Sequence, residues 1–250
     1  MRVIYILSHH DDELGAWPLI ARFNAMGSRQ TFIFMTACGD GDTPIRRQQE
    51  TMRALAACGL SNPECLFVGY DHDIPTYYLH EHLPRARALL REAVSSDEQL
   101  TIVTHAWEGG HVDHDMCFAL SCWLLPQLGP QTDFLQFSLY NMRGLRWPVY
   151  RAVRPIPENG PVIAERLSAK SWLRYLQAAR YYPSQWRVLL TLWPSMLATF
   201  ALQGGYRYQA GRPDRVRERP HQGPLMYEQV RRGAYDDIRE RVAQLFTAAN

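Results

Sequence analysis

Two kinds of apolar pattern alternate along the first 140 residues. Short runs carry apolar residues with little polar alternation: Arg2 to Ser8 (RVIYILS), Thr31 to Ala37 (TFIFMTA), Cys65 to Gly69 (CLFVG), Leu100 to Thr104 (LTIVT) and Phe134 to Leu139. Between them lie longer segments of helical character, Glu13 to Met26, Pro44 to Cys58, Leu83 to Val94 and Asp113 to Leu125, the first two stopped by Gly27 and Gly59. Strands that do not alternate are buried on both faces, and strands separated by helices pair in parallel. The pattern predicts an α/β fold, a Rossmann-like, mostly parallel sheet covered by helices on both faces.

The second half is less regular. Arg151 to Pro161 is Pro-rich and predicts a loop or a short edge element, and Ser168 to Tyr182 predicts a helix. The apolar run Val188 to Leu202, broken by Pro194, predicts a buried or site-covering helix pair. Gly204 to Gly223, rich in Arg, Gly and Pro, predicts a long ordered loop, and Tyr227 to Ala248 a terminal helix. No repeat or linker divides the chain, so residues 1–250 are expected to form a single domain with an irregular C-terminal helical and loop region.

In parallel sheets, ligands bind beyond the carboxyl ends of the strands. Each of the first four predicted strands ends in a polar loop: His9 to Glu13, Cys38 to Asp42, Tyr70 to Asp73 and His105 to His114. All four are expected on one rim, so that edge is where chemistry is sought.

Composition narrows the partners. The formal charge is +2 over 250 residues, with 46% apolar and 21% charged. No global field points to nucleic acid or to an anionic membrane. The longest apolar run falls short of the roughly 20 residues that span a bilayer, so no stable membrane insertion is expected. Five cysteines, Cys38, Cys58, Cys65, Cys117 and Cys122, form no CxxC pair. Reduced thiols in a cytoplasmic protein are expected, with no leader segment. A homo-oligomer is compatible with the sequence, which does not fix the state.

Two rim segments concentrate metal-ligand residue types. Ser8-His9-His10-Asp11-Asp12-Glu13 follows the first strand, and Gly109-Gly110-His111-Val112-Asp113-His114-Asp115 follows the fourth. A solvated loop and an acidic helix start would explain Glu13 alone. It would not call for histidines beside aspartates in both loops. Three His/Asp ligands with a position left for water make an open catalytic zinc site, whereas a structural site more often uses cysteines. The same ligands suit Fe2+, Co2+ or Mn2+.

Ser8 to Glu13 resembles the (A)HPDDE motif of the PIG-L/LmbE-like zinc-dependent N-acetylglucosaminyl deacetylases, and His111 to His114 resembles that family's HPDH or HxDH motif. Arg47-Gln48-Gln49-Glu50 with Ala54 and Gly59, the loop Cys38-Gly39-Asp40-Gly41, and Lys170 with Tyr182-Pro183-Ser184-Gln185 extend the resemblance. It implies that His9, Asp12 and His114 bind the metal, that Asp11 is the general base, that a charged His111 faces the developing oxyanion, and that Asp113 orients or tunes His111. It places a substrate-binding arginine at Arg47, although a helical ion pair with Glu50 explains that residue equally well. Asp71 or Asp73 would accept sugar hydroxyls. His10 and Val112 replace the two motif prolines, and His10 is a spare ligand.

The implied substrate is a small-molecule N-acetylated amino-sugar conjugate. The same residues would serve an amidase acting on another amide, such as a thiol conjugate, or a metal-holding binding module without turnover. A two-metal phosphate-ester hydrolase would need a bridging ligand. Arg207, Arg212, Arg215, Arg217 and Arg219 could clamp a phosphate or carboxylate, but pairing with Asp214 and Glu218 in a solvated loop is favoured. Trp186, Trp193, Tyr206 and Tyr208 are expected mostly to fill the core, and His80, His82 and His221 carry no assigned role.

Overall fold

The computed structural model describes residues 1–39, 41, 43–94 and 99–247. Its elements follow in chain order as β1 (Arg2–Leu7), α1 (Glu13–Ala25), β2 (Arg29–Phe34), α2 (Thr43–Cys58), β3 (Glu64–Leu66), α3 (Val68–Asp71), α4 (Leu83–Ala93), β4 (Leu100–His105), α5 (Val112–Leu128) and β5 (Asp133–Phe137). The second half gives β6 (Tyr140–Asn141), β7 (Arg151–Ala152), β8 (Val162–Glu165), α6 (Ala169–Leu176), α7 (Trp186–Gln203), β9 (Tyr206–Ala210), α8 (Met226–Gln229) and α9 (Tyr235–Thr247).

Among the described residues, seven strands make one sheet in the order β3-β2-β1-β4-β5-β9-β8. The first five run parallel, and β9 and β8 add antiparallel at one edge. Every residue of β1 is buried. Ile4 and Ile6 face a core closed by α4, α5 and α9, while Val3, Tyr5 and Leu7 face a second core closed by α1, α2, α6 and α7. The period of two in a strand thus divides one apolar run between two layers. The expected mostly parallel sheet with helices on both faces is what forms. The strand order reverses between β1 and β4, which opens a crevice at their carboxyl ends.

The second half departs from expectation. Tyr206–Ala210, read as part of a loop, is a strand, and it pairs with Val162–Glu165. Its alternation is masked because polar residues separate the tyrosines: Arg207 is half-buried, and Gln209 is buried with its amide donating to the Ile156 and Gly160 carbonyls. The run around Pro194 is one helix, not two. Pro194 costs a helical hydrogen bond but does not end α7. The C-terminal helix is broken into α8 and α9 by a turn in which Arg231 adopts φ 55° and Gly233 φ 156°.

Candidate metal centre

The loop after β1 is bent into place by its own carboxylates. Asp12 Oδ2 accepts the backbone N–H groups of Ser8 (3.1 Å) and His9 (2.6 Å). Glu13 is fully buried and accepts from Asp11 N (3.0 Å) and Tyr182 Oη (2.6 Å). Asp11 itself sits at φ 154°, a region that costs a non-glycine residue about 1–3 kcal/mol. Arg47 holds that turn, donating to the His10 carbonyl (2.9 Å) and to Asp11 Oδ1 (3.0 Å). Glu50 pairs instead with Arg46 (3.3 Å), so Arg47 is not its surface partner.

The loop after β4 is shaped by close approach and by a helix start. A Cβ on Gly110 would stand 2.0 Å from the Tyr140 carbonyl oxygen, so only glycine fits there. His111 is the N-cap of α5, and its Nδ1 accepts from Asp113 N (3.1 Å). Asp113 points both oxygens away from solvent: Oδ2 accepts from Tyr77 N (2.5 Å) and Oδ1 from Leu79 N (3.1 Å).

Together the loops bring His9, Asp12 and His114 into one cluster. His9 Nδ1 lies 3.2 Å from His114 Nε2 and 3.5 Å from Asp12 Oδ2, and His114 Nε2 lies 3.2 Å from Asp12 Oδ1. Tetrahedral ligands about 2.0–2.1 Å from a shared centre stand about 3.3–3.4 Å apart; the His9–His114 and His114–Asp12 Oδ1 distances lie close to that, while the His9 contact is with the other Asp12 oxygen. His111 also comes within 4.8 Å of His9 and His114, and His105 within the same limit of Asp12 and His114. Oδ1 is the freer Asp12 oxygen, because Oδ2 already carries two backbone donors and His105 Nε2 (3.0 Å). His9 Nε2 faces Asp113 Oδ2 at 3.3 Å, which leaves Nδ1 for the cluster. A carboxylate behind a ligand histidine fixes its tautomer and ring direction.

This alters the part read for Asp113. It is 3.3 Å from His9 but 3.8 Å from His111, so His9 is the ring it orients. Burial, then His9 and His114, hold the His111 pKa well below the ordinary value. Its Nδ1 accepts a hydrogen bond at a helix N-terminus, where the dipole disfavours an imidazolium. Both favour a neutral ring over the charged one expected from the resemblance. Burial and His105 lower His114 to about 4. Asp12 lies well below the usual carboxylate range: burial opposes this, but His114, His105 and His9 together prevail. Burial raises Asp11 against the opposing pull of Arg47.

A cavity of about 200 Å³ reaches the cluster, lined by His9, Asp11, Asp12, Arg47, Tyr77 and His111 among others. A second, of about 490 Å³, shares Tyr77, His111, Tyr140, Val188 and Leu192 with it and adds Trp147, Tyr150 and Tyr227. Asp71 and Asp73 are exposed and line neither; Thr76 and Tyr77 reach the rim from that loop. His10 is packed edge-on against Phe34 and Phe67 and belongs to neither histidine cluster. Asp40 and Asp42 lie outside the described residues. Tyr206, Tyr208 and Trp193 fill the core as expected, while Trp186 is 55% exposed.

Sequence reasoning missed His105 and Glu108. His105 ends β4 and stacks on His114 with ring centroids 3.9 Å apart. Its position, one residue past a buried strand, was the available signal. Glu108 is buried and accepts from Leu139 N (2.7 Å), Tyr140 N (3.0 Å), Asn141 Nδ2 (2.9 Å) and Ser138 Oγ. It fixes the segment that carries Tyr140 against the cluster, and nothing in its local sequence marks it.

Three solved structures share the fold. The zinc-inhibited form of a teicoplanin deacetylase aligns with a TM-score of 0.61 at 15% identity, over 84% of this chain and 97% of that one. An N,N'-diacetylchitobiose deacetylase from Pyrococcus horikoshii aligns at 0.51 and 16%, over 84% and 82%. A 4-carboxy-2-hydroxymuconate hydratase from Pseudomonas putida aligns at 0.54 and 14%, over 84% and 95%. A hydratase among them means that the fold alone does not choose the reaction. No curated protein matches the chain in sequence. Residues 4–122, which carry both histidine–aspartate loops, match the family described as PIG-L: GlcNAc-PI de-N-acetylase.

Proposed function

We propose that this protein is a metal-dependent deacetylase that removes the acyl group from an N-acetylated amino sugar. The observation that carries the reading is the convergence of His9, Asp12 and His114, with Asp11 and His111 lining the same cavity. His9 Nδ1, Asp12 Oδ1 and His114 Nε2 would hold the ion, zinc being the first choice and Fe2+ or Co2+ alternatives. When bound, such an ion polarises an amide carbonyl and lowers the pKa of water from about 16 toward about 7.

The chain's own residues supply the rest. Asp11 takes the proton of the attacking water; its raised pKa makes it a better base than an ordinary carboxylate, and Arg47 keeps it ionised and aimed. His111 donates Nε2–H to the oxygen on which charge develops, and as a neutral donor it needs no buried charge. Asp11, once protonated, is suited to protonate the leaving amine. Asp113 positions His9, and Glu108 positions Tyr140 at the cavity wall.

The likeness to two deacetylases of known structure and the family match support an N-acetyl sugar substrate. Cytoplasmic residence is the reading favoured by five unpaired cysteines. No helix among the described residues is long and apolar enough to cross a membrane. Released acetate from N-acetylglucosaminides, released amine from thiol-conjugate amides and the absorbance change of enol or muconate-type acids, each measured with and without a chelator, test the reading. Turnover of the sugars that is lost on chelation is expected. Turnover confined to the thiol conjugates or the acids would overturn the substrate class.

A further inference from the structure

Four arginines gather near the C-terminal end of α7. Arg143, Arg151, Arg154 and Arg207 line a cavity of about 300 Å³ beneath the β6–β7 ribbon. Arg151, Arg154 and Arg207 also line an adjoining cavity of about 520 Å³. Among the described residues, no aspartate or glutamate lines either one. The guanidinium groups are short of acceptors. Arg143 pairs with Glu158 (2.7 Å), but Arg151 Nε reaches only the Arg143 carbonyl (3.1 Å) and Arg207 Nη2 only the Gln203 carbonyl (3.2 Å). Arg154 has no side-chain hydrogen bond or ion pair among the described residues. Arg207 Nε and Gln203 Oε1 are buried without a partner, although both residues line both cavities.

The contrast with the neighbouring arginines is informative. Arg212 pairs with Asp214, Arg215 with Glu218 and Arg219 with Glu228. Among the described residues, this protein therefore supplies an acid to each of these arginines, and within the group of four only to Arg143. A buried donor left unpaired costs about 1–3 kcal/mol, and like charges around a shared hollow repel. Burial, Arg154 and Arg143 together hold Arg151 below the usual guanidinium range. An anion relieves all of these at once, and the planar guanidinium fork matches phosphate oxygens in pairs.

We propose that the hollow formed by Arg143, Arg151, Arg154 and Arg207 binds a phosphate-type anion carried by a phosphorylated small molecule. It lies wholly within residues 141–207, outside the segment that matches the family. Tyr150 lines both the larger arginine cavity and the aromatic cavity beside His111, so the anion site adjoins the path to the metal cluster. The phosphate can belong to the amino-sugar conjugate itself or to a separate effector.

Calorimetric titration with inorganic pyrophosphate tests the site without relying on the deacetylase reading. Saturable one-site binding is expected, weakened about tenfold or more in Arg154→Gln and in Arg207→Gln. It should persist in His114→Ala, which removes a residue of the metal cluster. Thermal melting checks that each variant is folded; Arg154 is exposed, so Arg154→Gln decides if Arg207→Gln is unstable. Absence of saturable binding, equal affinity in Arg154→Gln, or loss of binding in His114→Ala would overturn the proposal. Kinetics then separate the sources. A KM raised only for phosphorylated N-acetylglucosaminides in Arg154→Gln assigns the anion to the substrate. A lost response to added pyrophosphate with a neutral substrate assigns it to an effector, and either result upholds the site.

Discussion

The parallel half of the sheet and its antiparallel edge do different jobs with different materials. β1 and β4 are fully buried, and their carboxyl ends carry carboxylates and histidines locked by backbone donors. The edge formed by β9 and β8 supports α7, whose Trp186, Val188, Leu190 and Leu202 are exposed, and a group of arginines of which, among the described residues, only Arg143 pairs with an acid. The first region fixes reacting groups to a few tenths of an ångström, because every oxygen of Asp12 and Asp113 has a partner. The second offers wide, adaptable walls. Chemistry is set by the parallel strand ends, and the choice of what reaches them by the edge.

Changes in the first region should abolish turnover, and changes across the boundary should do less. The largest effect is expected for His114→Ala, which should lose both bound metal, by elemental analysis, and turnover. Next comes Asp11→Asn, which should keep the metal but slow turnover by about 10²- to 10⁴-fold in a released-acetate assay. Wild-type rates in that variant would remove Asp11 as the base.

Glu108 ties the two regions together, since it sits after β4 and holds residues 138–141. Glu108→Ala leaves several buried donors unpaired and should cost roughly 3 kcal/mol or more in urea unfolding. A loss near zero would mean that the halves are joined elsewhere. Arg47→Ala should act more gently. Arg47 lowers the Asp11 pKa, so its removal raises that pKa further, and the acid limb of the pH–rate profile should move to higher pH. Smallest of all, Arg212→Ala removes an exposed pair and should change stability by no more than about 0.5 kcal/mol in the same unfolding assay.

The same division governed what could be read from the sequence. Buried parallel strands announce themselves as unbroken apolar runs, so β1, β2 and β4 and the loops that follow them were legible. Asp11, Asp12, His111 and His114 stand in those loops as unusual neighbours. The edge strand β9 was hidden because Tyr206, Tyr208 and Ala210 alternate with Arg207 and Gln209 beside glycines, which reads as a loop. Glu108 and the orienting contact of Asp113 with His9 depend on segments about 30 and 100 residues away. No local pattern encodes such pairings. The lowered pKa of His111 likewise follows from its burial beside His9 and His114, not from its motif.

The reversal of strand order between β1 and β4 has a consequence in time. One side of the metal cluster lies at residues 9–12 and the other at 105–114, and they meet only because Arg2 to Ile6 pair with Leu100 to Thr104. A chain leaving the ribosome holds half a binding site for about a hundred residues before its complement arrives. Loop closure of that length is a late event in folding. The proposed metal capture at this cluster would mark the moment the central strands have joined, and metal uptake during refolding would clock the assembly of the sheet.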